Sequence, residues 1–275
     1  MRRADYAIAC CFEKDLCVQS GKASAAFLLP VPAEYSDYLA CPVRVHRTPF
    51  SKLEESLFLP PETAKVLDDI RVLTLLITDT SSQSDNKASR EKAQLTASSI
   101  YKRIREVTIT GPDEYVEDNS DDDRVQQIIH QTAIIYTQAI IKLQPMSCIK
   151  SSYKTEKTLD RNIKAVYPIR WKKMPGIYLW IMLVAAAQTT SDTIGDDVDD
   201  SEDDDRRKWL RRRLGAAAQA VGQEEFGLSI AYLRAFWLVQ RWIDRERRER
   251  DEEMAEAASQ HAHHHPTPTP SPEET

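Results

Sequence analysis

Six cations fall within eight residues at 206–213 (RRKWLRRR): Arg206, Arg207, Lys208, Arg211, Arg212 and Arg213. Such a block suits a nuclear-import address or a phosphate-binding patch. It also follows directly on the acidic run 192–205 (DTIGDDVDDSEDDD). Its charges would then simply neutralise those aspartates, with the aliphatic stems packed along a helix and the heads in water. Both readings stay open on the sequence. The other residues with chemical potential are sparse. His46 and His130 are the only histidines before the tail, and a lone histidine within a helix is usually structural or exposed. A hydrolase or transferase needs a base and an orienting partner, and no pair is nominated here. The tail histidines 261, 263, 264 and 265 would hold a soft metal only weakly, because a floppy tail loses entropy on closing and no supporting shell is evident. Cysteines stand at 10, 11, 17, 41 and 148. Closed zinc sites use ligand pairs two to four residues apart, which adjacent Cys10 and Cys11 cannot supply. An odd count at irregular spacing fits reduced thiols in an intracellular protein better than a disulfide framework. No catalytic residue, cofactor or metal ligand is expected.

The elements that would carry these residues are helical. Only 7 glycines occur, and most of the 14 prolines lie before residue 62 or after residue 265. Glycine-rich phosphate cradles and dinucleotide fingerprints are thereby excluded. After Pro60 and Pro61, the residues Val66, Leu67, Ile70, Leu73 and Ile77 fall on one helical face. Ala97, Ile100, Tyr101, Ile104 and Val107 mark a second helix, ending before Gly111. An acidic connector at 113–123 leads into a third. There Val125, Ile128, Ile129, Thr132, Tyr136, Ala139, Ile140 and Leu143 form a stripe, and Pro145 stops it. A short helix is expected at 156–166.

From Pro175 an uncharged run follows, apolar throughout over 177–187 (IYLWIMLVAAA). It is shorter than the roughly 20 apolar residues a membrane span needs, so a helix buried on all sides is expected. The cationic block opens the sixth helix, reaching Gly222. The seventh places Phe226, Ile230, Leu233, Trp237 and Gln240 on one face. Over 244–256 it becomes almost wholly charged, with Glu246–Arg250 and Arg248–Glu252 as exposed i,i+4 pairs. The acidic connectors 113–122 and 192–205 and the tail after Ser259 have little to bury and are expected to be disordered. Residues 1–58 show little periodicity, with short helices or strands only at 10–18 and 23–29.

With the helices placed, four stretches resemble the regulatory region that follows the DNA-binding module in fungal zinc-cluster transcription factors. They are LPPETAKVLDDIRVLT (59–74), IIHQTAIIYTQAIIKLQPMS (128–147), PGIYLWIMLVAAAQT (175–189), and the pair KWLRRRL (208–214) and YLRAFW (232–237). Together they cover about 59–243 in the family's order. The resemblance implies a helical domain that acts in the nucleus on transcription through protein partners, whether the transcription machinery or a related factor in a dimer. It carries over no catalytic residue. The family's six-cysteine zinc module has no counterpart here, so direct sequence-specific DNA binding is not implied.

The expectation is therefore an all-α bundle of roughly seven helices packed around the third helix and the helix from Pro175. Its parts are an N-terminal extension of unclear structure (1–58), the helical regulatory domain (59–243), a charged helix extension (244–258) and a disordered tail (259–275). No membrane association is expected. A helical scaffold without a transcriptional role is the alternative function.

Overall fold

The computed structural model describes residues 2–13, 34–44, 46–80, 86–109, 120–149, 153–188 and 200–263. All of the seven expected helices are present: α3 (Pro61–Thr80), α4 (Asn86–Ile109), α5 (Asp121–Lys142), α6 (Tyr153–Ala165), α8 (Pro175–Gln188), α9 (Asp200–Glu224) and α10 (Phe226–His263). Three shorter helices join them, α1 (Arg2–Phe12), α2 (Glu54–Leu57) and α7 (Pro168–Lys172). The fold is all-α, with no strand among the described residues.

The apolar stripes read from α3 and α5 are the buried faces of those helices. Helix α5 starts at a capping box: the Ser120 hydroxyl accepts from the Asp123 amide at 3.2 Å, and the Asp123 carboxylate accepts from the Ser120 amide. Leu143, left-handed at φ 51°, ends it. Helix α8 carries no polar stripe, and every residue except Tyr178 is buried. Among the described residues no helix is long and apolar enough to cross a membrane.

Helices α5 and α8 meet at the centre. The Tyr136 ring meets Trp180 edge-on at 6.2 Å and lies 6.3 Å from Phe236 of α10. The Thr74 hydroxyl donates to the Ile70 carbonyl, so the Tyr136 hydroxyl, 2.9 Å away, must donate to Thr74. The first turn of α8 lies against the 3-10 turn at Asp37–Leu39, where only glycine fits. A Cβ on Gly176 would stand 2.1 Å from the Leu39 carbonyl oxygen.

Residues 1–58, an extension of unclear structure on the sequence, include α1, which packs on α8, α9 and α10 and shares their core. Cys10 Sγ donates to the Leu233 carbonyl at 3.4 Å, and Gln240 Nε2 donates to the Cys10 carbonyl at 2.9 Å. Glu13, left-handed at φ 50°, ends α1 and accepts from the Met146 amide at 2.7 Å and the Ser147 hydroxyl at 2.5 Å. The expected segment 23–29 lies outside the described residues.

Four expectations at helix ends and faces need correction. Residues 121–122 and 200–205 are not connector but the first turns of α5 and α9, where negative charge meets the positive end of the helix dipole. The rest of both acidic runs lies outside the described residues. The buried face of α10 runs through Leu228, Tyr232, Leu233, Phe236, Val239, Gln240 and Ile243, leaving Phe226 half exposed. The pairs Glu246–Arg250 and Arg248–Glu252 are not formed. Glu246 is buried beside Arg90 and Arg245, while Arg248 bonds Asp244 and Arg250 bonds Asp251. Helix α10 also continues past Ser259 to His263, its residues 251–259 all exposed.

Candidate interaction surface

The cationic block occupies two turns of α9, with Leu210 and Leu214 turned into the core. The structure divides its six cations. Arg206 bonds the buried Asp160 of α6, and Lys208 lies 2.6 Å from Asp204 one turn earlier. That pairing holds the Asp204 carboxyl below, and the Lys208 ammonium above, their ordinary ranges. Arg207 is half-buried. Arg211, Arg212 and Arg213 are exposed, with Arg211 4.8 Å over the Phe12 ring and Arg213 5.8 Å over Trp209. Charge neutralisation thus accounts for Arg206 and Lys208, and the last three cations face outward.

Arg213 leads to a surface built from several other helices. Lys164 of α6 lies 4.8 Å over the same Trp209 ring. Tyr178 of α8, within electrostatic reach of Arg213, stacks on Trp171 of α7 at 4.6 Å. Burial pushes the Tyr178 phenol up, against the pull of Arg213. Lys172 and Lys173 follow Trp171, both exposed, and Lys173 stands 4.7 Å over the Phe58 ring. Phe58 is held outward by its left-handed backbone at φ 53°, ending α2. Arg170 fixes that corner: it donates to the Leu57 and Phe58 carbonyls at 2.9 and 2.8 Å and to Asp122 at 2.7 Å. Beside it, Tyr167 and Ile169 are 69% and 64% exposed, large apolar side chains in water. Cations and aromatic rings therefore alternate from α6 across α9, α8 and α7 to α2.

The other candidates have structural surroundings. His130 is buried in α5 with Nε2 3.4 Å from the Thr63 hydroxyl, and burial lowers its pKa against the opposing pull of Glu62. The His46 ring is buried between the Thr48 and Tyr35 carbonyls and tilts on Tyr35 at 4.6 Å. Cys10, Cys11 and Cys41 are buried, and burial raises the Cys11 and Cys41 thiols to about 11 and about 12, so neither is a ready thiolate. Cys148 is exposed. Cys17 and the side chains of the tail histidines lie outside the described residues. Among the described residues no group of three or more His, Cys, Asp or Glu is placed to hold a metal ion.

Comparison with protein-family models, curated proteins and solved structures finds no match to this chain.

Sequence reasoning found Arg213 but missed Lys164, Lys172, Lys173, Phe58, Tyr167 and Ile169. Those residues come from separate helices, and no local spacing announces that packing will bring them together.

Proposed function

We propose that this chain is a regulatory interaction domain that acts in the nucleus on transcription through protein partners, as its resemblance to the fungal regulatory region implies. The observation that carries the reading is where its chemically distinctive side chains lie. They form a surface row of exposed cations, with Phe58 and Tyr167 exposed among them and Trp209 and Tyr178 half-buried beneath, on a closed apolar bundle, while the interior His130, Cys10 and Tyr136 serve packing and internal hydrogen bonds. That arrangement suits recognition rather than catalysis. The stretches that carry the resemblance are the helices α3, α5, α8, α9 and α10, which build the core.

Affinity capture of the whole chain in native nuclear extract, with partners identified by mass, tests this reading. Transcription proteins among the specific partners support it. Recovery of cytoskeletal or membrane-trafficking assemblies alone would favour a helical scaffold, the second reading, which the exposed end of α10 suits. Sequence-selective DNA binding by the isolated chain at physiological salt would contradict the reliance on partners.

A further inference from the structure

We infer that the row running from Lys164 to Phe58 is a docking surface for an acidic protein segment with interspersed apolar residues. The inference rests on the protein-partner reading above and adds the partner's chemistry. Lys164, Lys172, Lys173 and Arg213 are exposed, and none has a carboxylate partner among the described residues. Carboxylates on the same and adjoining helices are engaged by other groups: Asp160 by Arg206, Asp122 by Arg170, and Asp121 by the Tyr167 amide. In a chain of net charge -6, this concentration of unpaired cations sets up a local positive field that attracts anionic ligands.

The rings decide which anion fits. Lys164 and Arg213 lie over Trp209, and Lys173 and Arg170 over Phe58. Single-stranded nucleic acid binds by stacking successive bases on open ring faces, and the protein's own cations already lie over Trp209 and Phe58, which leaves Tyr167 as an isolated open ring rather than part of a stacking row. The same contacts hold the cationic heads in place, which lowers the entropy lost when a carboxylate engages them. Tyr167 and Ile169, largely exposed beside Arg170, supply apolar contact between the charges. A peptide with carboxylates and apolar side chains in alternation uses both features.

The test titrates the full chain into a fluorescein-labelled synthetic peptide of Asp and Glu interrupted by Leu and Phe, read by fluorescence anisotropy. The surface variant is Lys164→Glu/Lys172→Glu/Lys173→Glu. Its charge-matched control is Lys87→Glu/Lys92→Glu/Lys102→Glu on the exposed side of α4. Wild type and control should bind alike, and the surface variant at least ~tenfold more weakly. Glutamine at the same three positions should give a smaller loss, which covers misfolding of the charge-reversed form. Equal binding by surface variant and control overturns the inference. So does tighter binding of oligothymidine or of phosphatidylserine vesicles than of the peptide, which would assign the surface to nucleic acid or membrane. If the surface variant still captures the wild-type set of nuclear proteins, the partner reading stands and this surface does not serve it.

Discussion

Two glycines in neighbouring helices make opposite demands on a single methyl group. At Gly176 an added Cβ would meet the Leu39 and Ala40 carbonyl oxygens at 2.1 and 2.4 Å, both fixed backbone atoms. At Gly215, on the exposed side of α9, it would meet nothing within 4 Å. Gly176→Ala should therefore destabilise by about 2–4 kcal/mol, as overpacking against rigid atoms does. Gly215→Ala should stabilise by about 0.5–1 kcal/mol, because alanine loses less backbone entropy in a helix. Urea unfolding of the two variants against wild type measures both signs. His130 gives a prediction in pH. Its folded pKa lies below the unfolded value of ~6.5, so between the two the unfolded chain binds more protons and stability rises with pH. The contribution is complete above ~6.5 and is lost as pH falls through the lowered folded value. Thermal melts should show wild type losing Tm on acidification below ~6.5 more steeply than His130→Gln, which carries no titrating ring. Parallel curves would mean that the buried ring is not what titrates.

At the scale of the helix, α9 joins acidic and basic turns that the sequence presents as a loop followed by a helix. Residues 200–205, five acidic side chains and Ser201, include no apolar residue, which reads as disorder. Helix dipole and i,i+4 pairing with Lys208 favour helix there instead, and neither leaves a hydrophobic signature. The stripes of α3 and α5 were legible because their buried faces are mainly aliphatic, the buried Thr63, Thr74, His130, Thr132 and Thr137 being scattered among them. That of α10 was misread because its buried face includes Ser229, Gln240 and Glu246. Helix α1 was missed although its eleven residues are amphipathic, because the stretch is short and the groups that hold it lie far along the chain on α10. The division within the cationic block also sharpens a test of nuclear import. Replacing all six cations would remove the partner of buried Asp160 and confuse import with folding. Glutamine at Arg211, Arg212 and Arg213 alone should abolish nuclear accumulation of a fusion too bulky to diffuse, with the helical circular-dichroism melt unchanged. Lys208→Gln should leave accumulation intact. Equal accumulation of the triple variant and wild type would remove the import role from these arginines.

For the molecule as a whole, one apolar core extends from Tyr6 to Ile243, with Trp180 fully buried near its middle. Trp180→Asp places a carboxylate there with no cation beside it, and should cost several kcal/mol, enough to unfold a domain of ordinary stability. A melting temperature within a few degrees of wild type would mean that α8 is peripheral to stability. The same core imposes an order of events on synthesis. Cys10 donates to a carbonyl 223 residues further along and receives a bond from a side chain 230 residues further. At roughly 5–20 residues per second, α1 leaves the ribosome about 10–45 seconds before the helix that covers it exists. For that interval Tyr6, Ala9 and Cys10 lack the α10 surface that completes their burial, and loop closure over such a distance comes late in folding. The nascent chain thus depends on whatever shields α1 until α10 arrives.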